Sequence, residues 1–185
     1  IRCLSGAQAL ADLSRDYFTI AVSGMHGKST TSSMVAQILM KAGFDPTFVI
    51  GTKPGYRLGR SPTPANAAAG KKYLVIEADD YKAKFLNYKP DILILTNIEE
   101  EHLDYFKNLA HILKVFKKYI GQVKEAIVAN GEDKNIWQVL KKSKIPCLPA
   151  DRKNPASAQA ASFAEVATKA ESAGKQKPKI VLYSL

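Results

Sequence analysis

Short apolar runs alternate with segments of helical periodicity along most of the chain. The apolar runs predict buried strands at Thr19–Ser23, Thr47–Ile50, Tyr73–Glu77, Asp91–Thr96, Ala126–Ala129, Ile145–Leu148 and Lys179–Tyr183. Helical spacing predicts helices at Ser29–Ala42, Leu103–Ile120 and Asn135–Lys142. Because each strand is apolar throughout, the pattern predicts an α/β fold of three layers. Its mostly parallel sheet is flanked by helices on both faces.

The pattern also suggests how the chain is divided. Residues 1–18 have near-helical spacing and are interpreted as a lead-in from a preceding N-terminal domain, and residues 19–185 as one central domain. Residues 51–70 are rich in Gly, Pro, Ser and Thr, which predicts a long loop. Residues 151–178 are rich in Ala, Ser and Lys, and are expected to form a surface insertion or a mobile connection with a short helix at 163–173. The sequence does not begin with a methionine, so we expect it to begin inside a longer protein.

Composition narrows the choice of partners. The net charge of +10 fits either an anionic ligand or a solvated lysine-rich face, and many lysines lie in Lys107–Lys144. The aromatic residues among those lysines do not interleave with them as a single-strand binder would require, so the charge does not predict a nucleic-acid partner. No apolar run is long enough to predict a membrane span. With only Cys3 and Cys147, we expect free thiols in a reducing cytosol.

A glycine-bounded loop, Gly24-Met25-His26-Gly27-Lys28-Ser29, joins the first predicted strand to the first predicted helix. Glycines let backbone N–H groups approach phosphate oxygens, and the N-terminus of the helix adds the positive end of its dipole. Lys28 can reach the β- and γ-phosphates of a nucleotide, and the Ser29 hydroxyl can bind Mg²⁺. The loop is shorter than the common GxxxxGK[ST] pattern, so its position between strand and helix carries the interpretation. This context predicts a P-loop domain that binds ATP.

Acidic residues follow two of the predicted strands. Glu77 ends the YLVIE run, and the segment Thr96–His102 follows the DILIL run with three acids and a histidine. Ligands of open parallel sheets bind outside the carboxyl ends of the strands, which places Glu77 and His102 near Lys28 and Ser29. Carboxylate oxygens are ligands that Mg²⁺ prefers. On its own, His102 is better explained as a capping or partly buried histidine, but together with the phosphate loop and Glu77 the three acids and His102 are interpreted as a second metal site. His111 is interpreted as a structural residue within its helix.

Five segments together resemble the Mur ligase family, which forms amide bonds in peptidoglycan synthesis at the expense of ATP. They are AVSGMHGKSTTSSMVAQIL, DPTFVIG, YLVIEADD, KPDILILTNIEEEHLDYF and IVAN, in order between about Ile20 and Asp133. In that family the central domain binds ATP. The carboxylate of the acid substrate is phosphorylated to an acyl phosphate, which the amine of an amino acid then attacks.

The resemblance implies a role for each matching residue. Lys28 resembles the γ-phosphate lysine, Ser29 the first magnesium ligand, Glu77 the acid shared by the magnesium ions and His102 a ligand of the second ion. Asn130 and Asp133 resemble the residues beside the adenine, and Asn66 matches a family asparagine without an assigned role. The nucleotide-binding set that the resemblance implies is Gly24, Met25, His26, Gly27, Lys28, Ser29, Thr30, Asn97, Asn130 and Asp133.

Within the family, GMHGKS and EAD are most similar to the members that join L-alanine to UDP-N-acetylmuramate in the bacterial cytoplasm. Those two substrates would be bound through flanking domains, so the chain alone is expected to bind nucleotide weakly and to form no product. The departures are Met25 and Ser29, where threonine is usual, Asp80-Tyr81-Lys82 after EAD, and Glu101 before the histidine. The oligomeric state is not predicted.

Other functions stay open at this point. One is the recycling ligase, which attaches a peptide to UDP-N-acetylmuramate, and another is a ligase of the folylpolyglutamate or cyanophycin type. A basic P-loop ATPase that acts on nucleic acid is a third, although no strand ends in the Asp-Glu pair that such an enzyme would show. A fragment that only binds nucleotide is the fourth.

Overall fold

The structure is a computed structural model, and it describes residues 3–52, 55–59, 72–141, 147–148 and 179–183. Its strands are β1 (Phe18–Ser23), β2 (Thr47–Val49), β3 (Tyr56–Arg57), β4 (Tyr73–Glu77), β5 (Ile92–Leu95), β6 (Ala126–Asn130), β7 (Cys147–Leu148) and β8 (Lys179–Tyr183). Its α-helices are α1 (Gly6–Leu13), α2 (Lys28–Lys41), α3 (Leu109–Ile120) and α4 (Lys134–Leu140). Short 3₁₀ segments follow α1 at Ser14–Asp16 and β4 at Tyr81–Asn87.

Within the described ranges the strands form one sheet in the order β3-β2-β4-β1-β5-β6-β8-β7. The pair β2–β3 is antiparallel and the other neighbouring pairs are parallel. This confirms the predicted α/β fold with a mostly parallel sheet. Strand β1 lies between β4 and β5 and is parallel to both. The segments that follow these three strands therefore leave the sheet at the same edge.

Alternating side chains of each strand pack on opposite faces of the sheet. On one face, Ile20 and Val22 of β1 join a buried cluster with Val35 and Leu39 of α2. On the other, Ala21 joins a larger cluster that includes Phe116 of α3 and buried residues of α4. Covering both faces with helices explains why the strands lack a polar alternation, as expected for a buried parallel sheet.

Several predicted boundaries differ from the structure. The helix predicted from Leu103 begins at Leu109, because Asn108 caps it by accepting a hydrogen bond from the His111 N–H at 3.0 Å. Residues before this cap form turns, in which Tyr105 and Phe106 donate their N–H groups to the His102 carbonyl. The predicted loop 51–70 contains strand β3, which the sequence did not indicate. Asn66 and residues 151–178 lie outside the described residues.

Buried polar groups tie the layers together. Asp91, just before β5, accepts hydrogen bonds from the Thr19 N–H at 2.7 Å and from Lys124 Nζ at 3.0 Å.

The Tyr119 side chain of α3 has no exposed surface, and its hydroxyl has no hydrogen-bond partner among the described residues. Burial raises the pKa of the Tyr119 phenol well above its ordinary value. Among the helices of the described ranges, none reaches the length and apolarity that a membrane crossing requires.

Replacing Tyr119 by Phe removes an unpaired buried hydroxyl and keeps the ring. We expect the free energy of unfolding at neutral pH to stay unchanged or to rise by up to about 1 kcal/mol, measured by urea denaturation. The Tyr119 phenol has a higher pKa in the folded state than the value of about 10 in the unfolded state. Its contribution to the free energy of unfolding is therefore complete below about pH 10 and is lost as the pH rises further, because the unfolded state ionises first. Tyr119→Phe therefore loses less stability than the wild type above about pH 10. Tyr56→Phe, at an exposed position, is the control, and a loss beyond about 1 kcal/mol in Tyr119→Phe would show that the hydroxyl is paired.

Candidate nucleotide-binding site

The parallel register brings the ends of three strands to one edge. Val22 is aligned with Glu77 of β4, and Ser23 is aligned with Leu95 of β5. The loop that follows β1, the carboxylate that ends β4 and the segment after β5 therefore meet. This is the edge of an open parallel sheet at which ligands bind.

The glycines of the loop adopt conformations that other residues avoid. Gly24 has a φ of 136° and Gly27 a φ of 77°, and Gly27 is the N-cap residue of α2. A Cβ on Gly24 would overlap the hydroxyl of Thr96 and approach the Asn97 backbone carbonyl oxygen to 2.9 Å, whereas a Cβ on Gly27 would meet nothing within 4 Å. Close packing and backbone conformation thus both restrict Gly24, whereas backbone conformation alone restricts Gly27.

Thr96 and Asn97, which directly follow β5, hold the loop by hydrogen bonds. Asn97 Oδ1 accepts hydrogen bonds from the N–H groups of Met25 at 3.0 Å and His26 at 2.9 Å. The Thr96 hydroxyl donates to the His26 carbonyl at 2.7 Å, and Asn97 Nδ2 donates to the same oxygen at 3.2 Å. Asn97 therefore shapes the loop, and the N–H groups of Lys28–Thr30 remain as the donors at the start of α2, where helix geometry provides no partner.

The Lys28 side chain points back toward the loop that precedes it. Its Nζ donates to the carbonyl oxygens of Gly24 at 2.8 Å and Met25 at 2.9 Å, and to Asp80 Oδ1 at 2.8 Å. The Lys28 side chain is 15% exposed and the Asp80 side chain is 0% exposed. All three contacts combine a cation with an oxygen acceptor, so Lys28 is held firmly in this position.

The predicted magnesium ligands Ser29 and Glu77 lie together. The Ser29 hydroxyl donates to Glu77 Oε1 at 3.0 Å, and Glu77 Oε2 accepts a hydrogen bond from the Gly51 N–H at 2.7 Å. An open cleft of about 290 Å³ lies above this pair. Its lining consists of Met25, His26, Gly27, Lys28, Ser29, Thr30 and Glu77. The cleft thus has loop N–H groups on one side and a carboxylate on the other.

His102 belongs to a second group of potential ligands. One ligand atom each from Asp80, Glu101 and His102 lies within 4.8 Å of the others, and Glu77 is not a member of this group. His102 Nε2 approaches Asp80 Oδ2 to 3.3 Å, a close approach that is not a hydrogen bond. His102 has a φ of 54°, and the ring of Tyr81 packs against its imidazole with centroids 5.1 Å apart. The backbone and this ring contact fix the direction of the imidazole.

Asn130 ends β6 and Asp133 follows it, at the same edge of the sheet. Asn130 Oδ1 accepts a hydrogen bond from the Glu132 N–H at 3.0 Å. Asp133 Oδ1 caps α4, and Asp133 Oδ2 accepts a hydrogen bond from the Ile98 N–H at 2.8 Å. The Asp133 carboxylate thus joins the start of α4 to the chain that follows Asn97.

Comparison with known proteins agrees with this geometry. A family model described as the Mur ligase middle domain matches residues 22–180. The chain belongs to the Mur ligase family. The UDP-N-acetylmuramate–L-alanine ligase of Pelotomaculum thermopropionicum is 41% identical over 152 residues, which cover 80% of this chain and 32% of that protein. The chain therefore spans about a third of the length of this relative.

Two solved Mur ligases share the fold. The UDP-N-acetylmuramate:L-alanyl-γ-D-glutamyl-meso-diaminopimelate ligase of Neisseria meningitides has a TM-score of 0.67 and 33% identity. The match covers 76% of this chain and 48% of that one. The UDP-N-acetylmuramate–alanine ligase of Thermotoga maritima has a TM-score of 0.58 and 26% identity, over 75% of this chain and 31% of that one.

Sequence reasoning about this Mur ligase domain missed Asp80 as a central residue. The EADD motif drew attention to Glu77, yet Asp80 is the wholly buried carboxylate that contacts both Lys28 and His102. A signal was present, because a second acid directly after EAD stands at the edge where ligands bind. Asp80 is followed by a turn with Lys82 and Ala83 at positive φ, and the sequence did not indicate that turn.

The two glycines of the loop provide a matched test. The added methyl group of Gly24→Ala pushes the loop away from Thr96 and the Asn97 backbone. We therefore expect this variant to lower the free energy of unfolding by about 3 kcal/mol or more. Gly27→Ala meets no neighbour and should cost about 1–2 kcal/mol for its left-handed backbone. Urea denaturation of both variants measures the difference. Equal losses would contradict the tight packing of the loop against Thr96 and Asn97.

Proposed function

We propose that this chain is the ATP-binding central domain of a ligase that joins L-alanine to UDP-N-acetylmuramate, with conversion of ATP to ADP and phosphate. Residues 19–185 would form this domain, and residues 1–18 the end of a preceding one. The observation that carries the proposal is the glycine loop at the sheet edge, with Lys28 and Ser29 facing the Glu77 and Asp80 carboxylates. The 41% identity to an alanine ligase supports the substrate assignment.

In the proposed complex the phosphates lie over the N-terminus of α2. The N–H groups of Lys28–Thr30 and the dipole of the helix favour an anion at this place. The Lys28 ammonium moves from the carbonyls of Gly24 and Met25 to the γ-phosphate. Asn97 holds Met25 and His26, so the loop keeps its shape while Lys28 moves.

The side chains present fit magnesium at two places. Ser29 Oγ and Glu77 Oε1 lie 3.0 Å apart and offer hard oxygen ligands. Asp80 Oδ2 and Glu101 Oε2 are buried oxygens without hydrogen-bond partners among the described residues, and His102 lies beside them. Bound Mg²⁺ would neutralise phosphate charge during phosphoryl transfer. The ligands proposed from the sequence, Ser29, Glu77 and His102, are thereby joined by Asp80 and Glu101.

The proposed reaction requires no nucleophile from this chain. A carboxylate oxygen of the muramyl substrate attacks the γ-phosphorus, and the bond to ADP breaks. The amine of L-alanine then attacks the acyl carbon, phosphate leaves, and the amine gives up a proton. Catalysis of such steps depends on positioning and charge stabilisation, which Lys28 and the helix N-terminus provide.

We place the adenine beside Asn130. We place Asp133 beside the adenine as well, where its hydrogen bonds to the Ile98 N–H and to the start of α4 fix its carboxylate in the wall of this subsite. UDP-N-acetylmuramate and L-alanine are assigned to flanking domains. We propose no nucleic-acid partner for the lysine-rich face, and the setting implied by the pathway is the bacterial cytoplasm.

Calorimetric titration with Mg-ATP tests the phosphate assignment. Removing a charge-assisted contact to phosphate costs about 1.5–3 kcal/mol, so Lys28→Ala should weaken binding at least about tenfold. Lys114→Ala, which removes an exposed lysine of α3, should leave the affinity unchanged. An RNA oligonucleotide should give no heat. RNA binding together with unaltered ATP affinity in Lys28→Ala would overturn the proposal.

The recycling ligase is a second candidate, because the Neisseria enzyme matches at 33% identity and a TM-score of 0.67. Two chimaeras distinguish the candidates, with this chain replacing the central domain of the Pelotomaculum alanine ligase or of the Neisseria ligase. We expect L-alanine-dependent ADP release from the first to exceed peptide-dependent release from the second, each relative to its parent. The reverse order would favour the recycling function.

A further inference from the structure

Asp80 lies between the Lys28 ammonium and two other potential metal ligands, Glu101 and His102. Its Oδ1 accepts a hydrogen bond from Lys28 Nζ at 2.8 Å, and its Oδ2 faces His102 Nε2 at 3.3 Å. The side chain is 0% exposed, and Oδ2 has no hydrogen-bond partner among the described residues. A buried carboxylate oxygen without a partner is costly unless a ligand occupies its place in the working state.

We propose that Asp80 exchanges partners. In the resting chain it holds Lys28 away from the phosphate site, and it releases Lys28 when a divalent cation binds to Asp80 Oδ2, Glu101 and His102. Asp80 is thus a positioning residue that couples cation binding to the availability of the phosphate-binding lysine. The inference rests on the proposed function only in taking Lys28 as that lysine.

The charges around the loop favour this exchange. In the resting arrangement the Lys28 ammonium is one positive charge among the carboxylates of Glu77, Asp80 and Glu101. This negative excess disfavours the approach of a polyphosphate. A dication beside Asp80 Oδ2 would take over the negative charge that holds Lys28 and would repel its ammonium. The cation therefore shifts the charge balance of the site in favour of phosphate.

The contacts of Lys28 show that this resting position is specific. Its three acceptors are the carbonyls of Gly24 and Met25 and the Asp80 carboxylate. An ammonium has three N–H donors, so a nucleotide can bind Lys28 only after one of these bonds is broken. Loss of the Asp80 contact leaves two neutral carbonyl acceptors, which hold an ammonium less strongly than a carboxylate does.

Competitive amine labelling, read for each lysine by mass spectrometry, tests the exchange without nucleotide. Lys28 should react at least about tenfold more slowly than exposed lysines, as expected for an ammonium held by several charge-assisted hydrogen bonds. Adding Mn²⁺ alone should raise its rate about tenfold, by loss of the Asp80 contact. In Asp80→Asn, Lys28 should react fast and independently of Mn²⁺. If Lys28 of the wild type reacts slowly and its rate does not change with Mn²⁺, the proposal is overturned. This comparison uses the wild type alone, so it is valid even if the Asp80→Asn variant does not fold.

The neighbouring pair provides the matched control. Asp79 pairs with Lys84 at 2.6 Å in a half-exposed position, one residue before Asp80. Asp79→Asn should speed the labelling of Lys84 and leave Lys28 slow and responsive to Mn²⁺. His102→Asn, chosen because Asn tolerates positive φ, should keep Lys28 slow and abolish the response. A Lys28 that becomes fast in Asp79→Asn, or still responds to Mn²⁺ in His102→Asn, would contradict the proposal.

A second measurement separates this role from a structural one. With chelator present, Asp80→Asn should bind metal-free ATP about tenfold more tightly than the wild type, because Lys28 is no longer held by a carboxylate. A merely structural role for Asp80 predicts weaker binding in the variant, and that result would overturn the proposal. Absence of Mg-ATP binding in both proteins, measured after the chelator is replaced by Mg²⁺, would contradict the proposed function instead, and the labelling result would still decide the exchange.

Discussion

The parallel register of β1 between β4 and β5 is the constraint on which the site depends. It aligns Val22 with Glu77 and Ser23 with Leu95, so three connections leave the sheet at one edge. The loop after β1 can pack there only because Gly24 has no Cβ against Thr96 and Asn97. Buried side chains on both faces fix this register, since a shift by one residue would move the apolar set of β1 to the wrong faces.

Electrostatics at this edge extend the same constraint. The strand ends bring several carboxylates together, and burial of Asp80 makes its charge expensive without a cation. Lys28 supplies that cation from within the loop at 2.8 Å. The arrangement is therefore stable without a ligand. In the proposed complex, polyphosphate and metal would change the balance of charge, and Lys28, the structural counterion of Asp80, would become a phosphate ligand.

Local patterns predicted most of the fold, and the predictions failed where tertiary contacts decide. The apolar runs indicated β1, β4, β5 and β6 to within about a residue, because buried parallel strands are apolar throughout. The helix start near Leu103 was wrong, since Asn108 provides a cap inside an amphipathic pattern. The loop residues around Lys28 were predicted from glycine spacing. The burial of Asp80 was not, because its side chain contacts Lys28 and His102, which are distant from it in the sequence.

Amide NMR spectra of the chain, recorded during titration with Mg-ATP, test most directly whether this edge binds the nucleotide. The account predicts that the largest shift changes fall on residues 24–30, at the end of β1 and the start of α2. Smaller changes are expected at Asn97, which holds the loop, and at Asn130. Changes confined to the lysine-rich surface of α3, with the loop unaffected, would contradict the central claim that the glycine loop binds the phosphates.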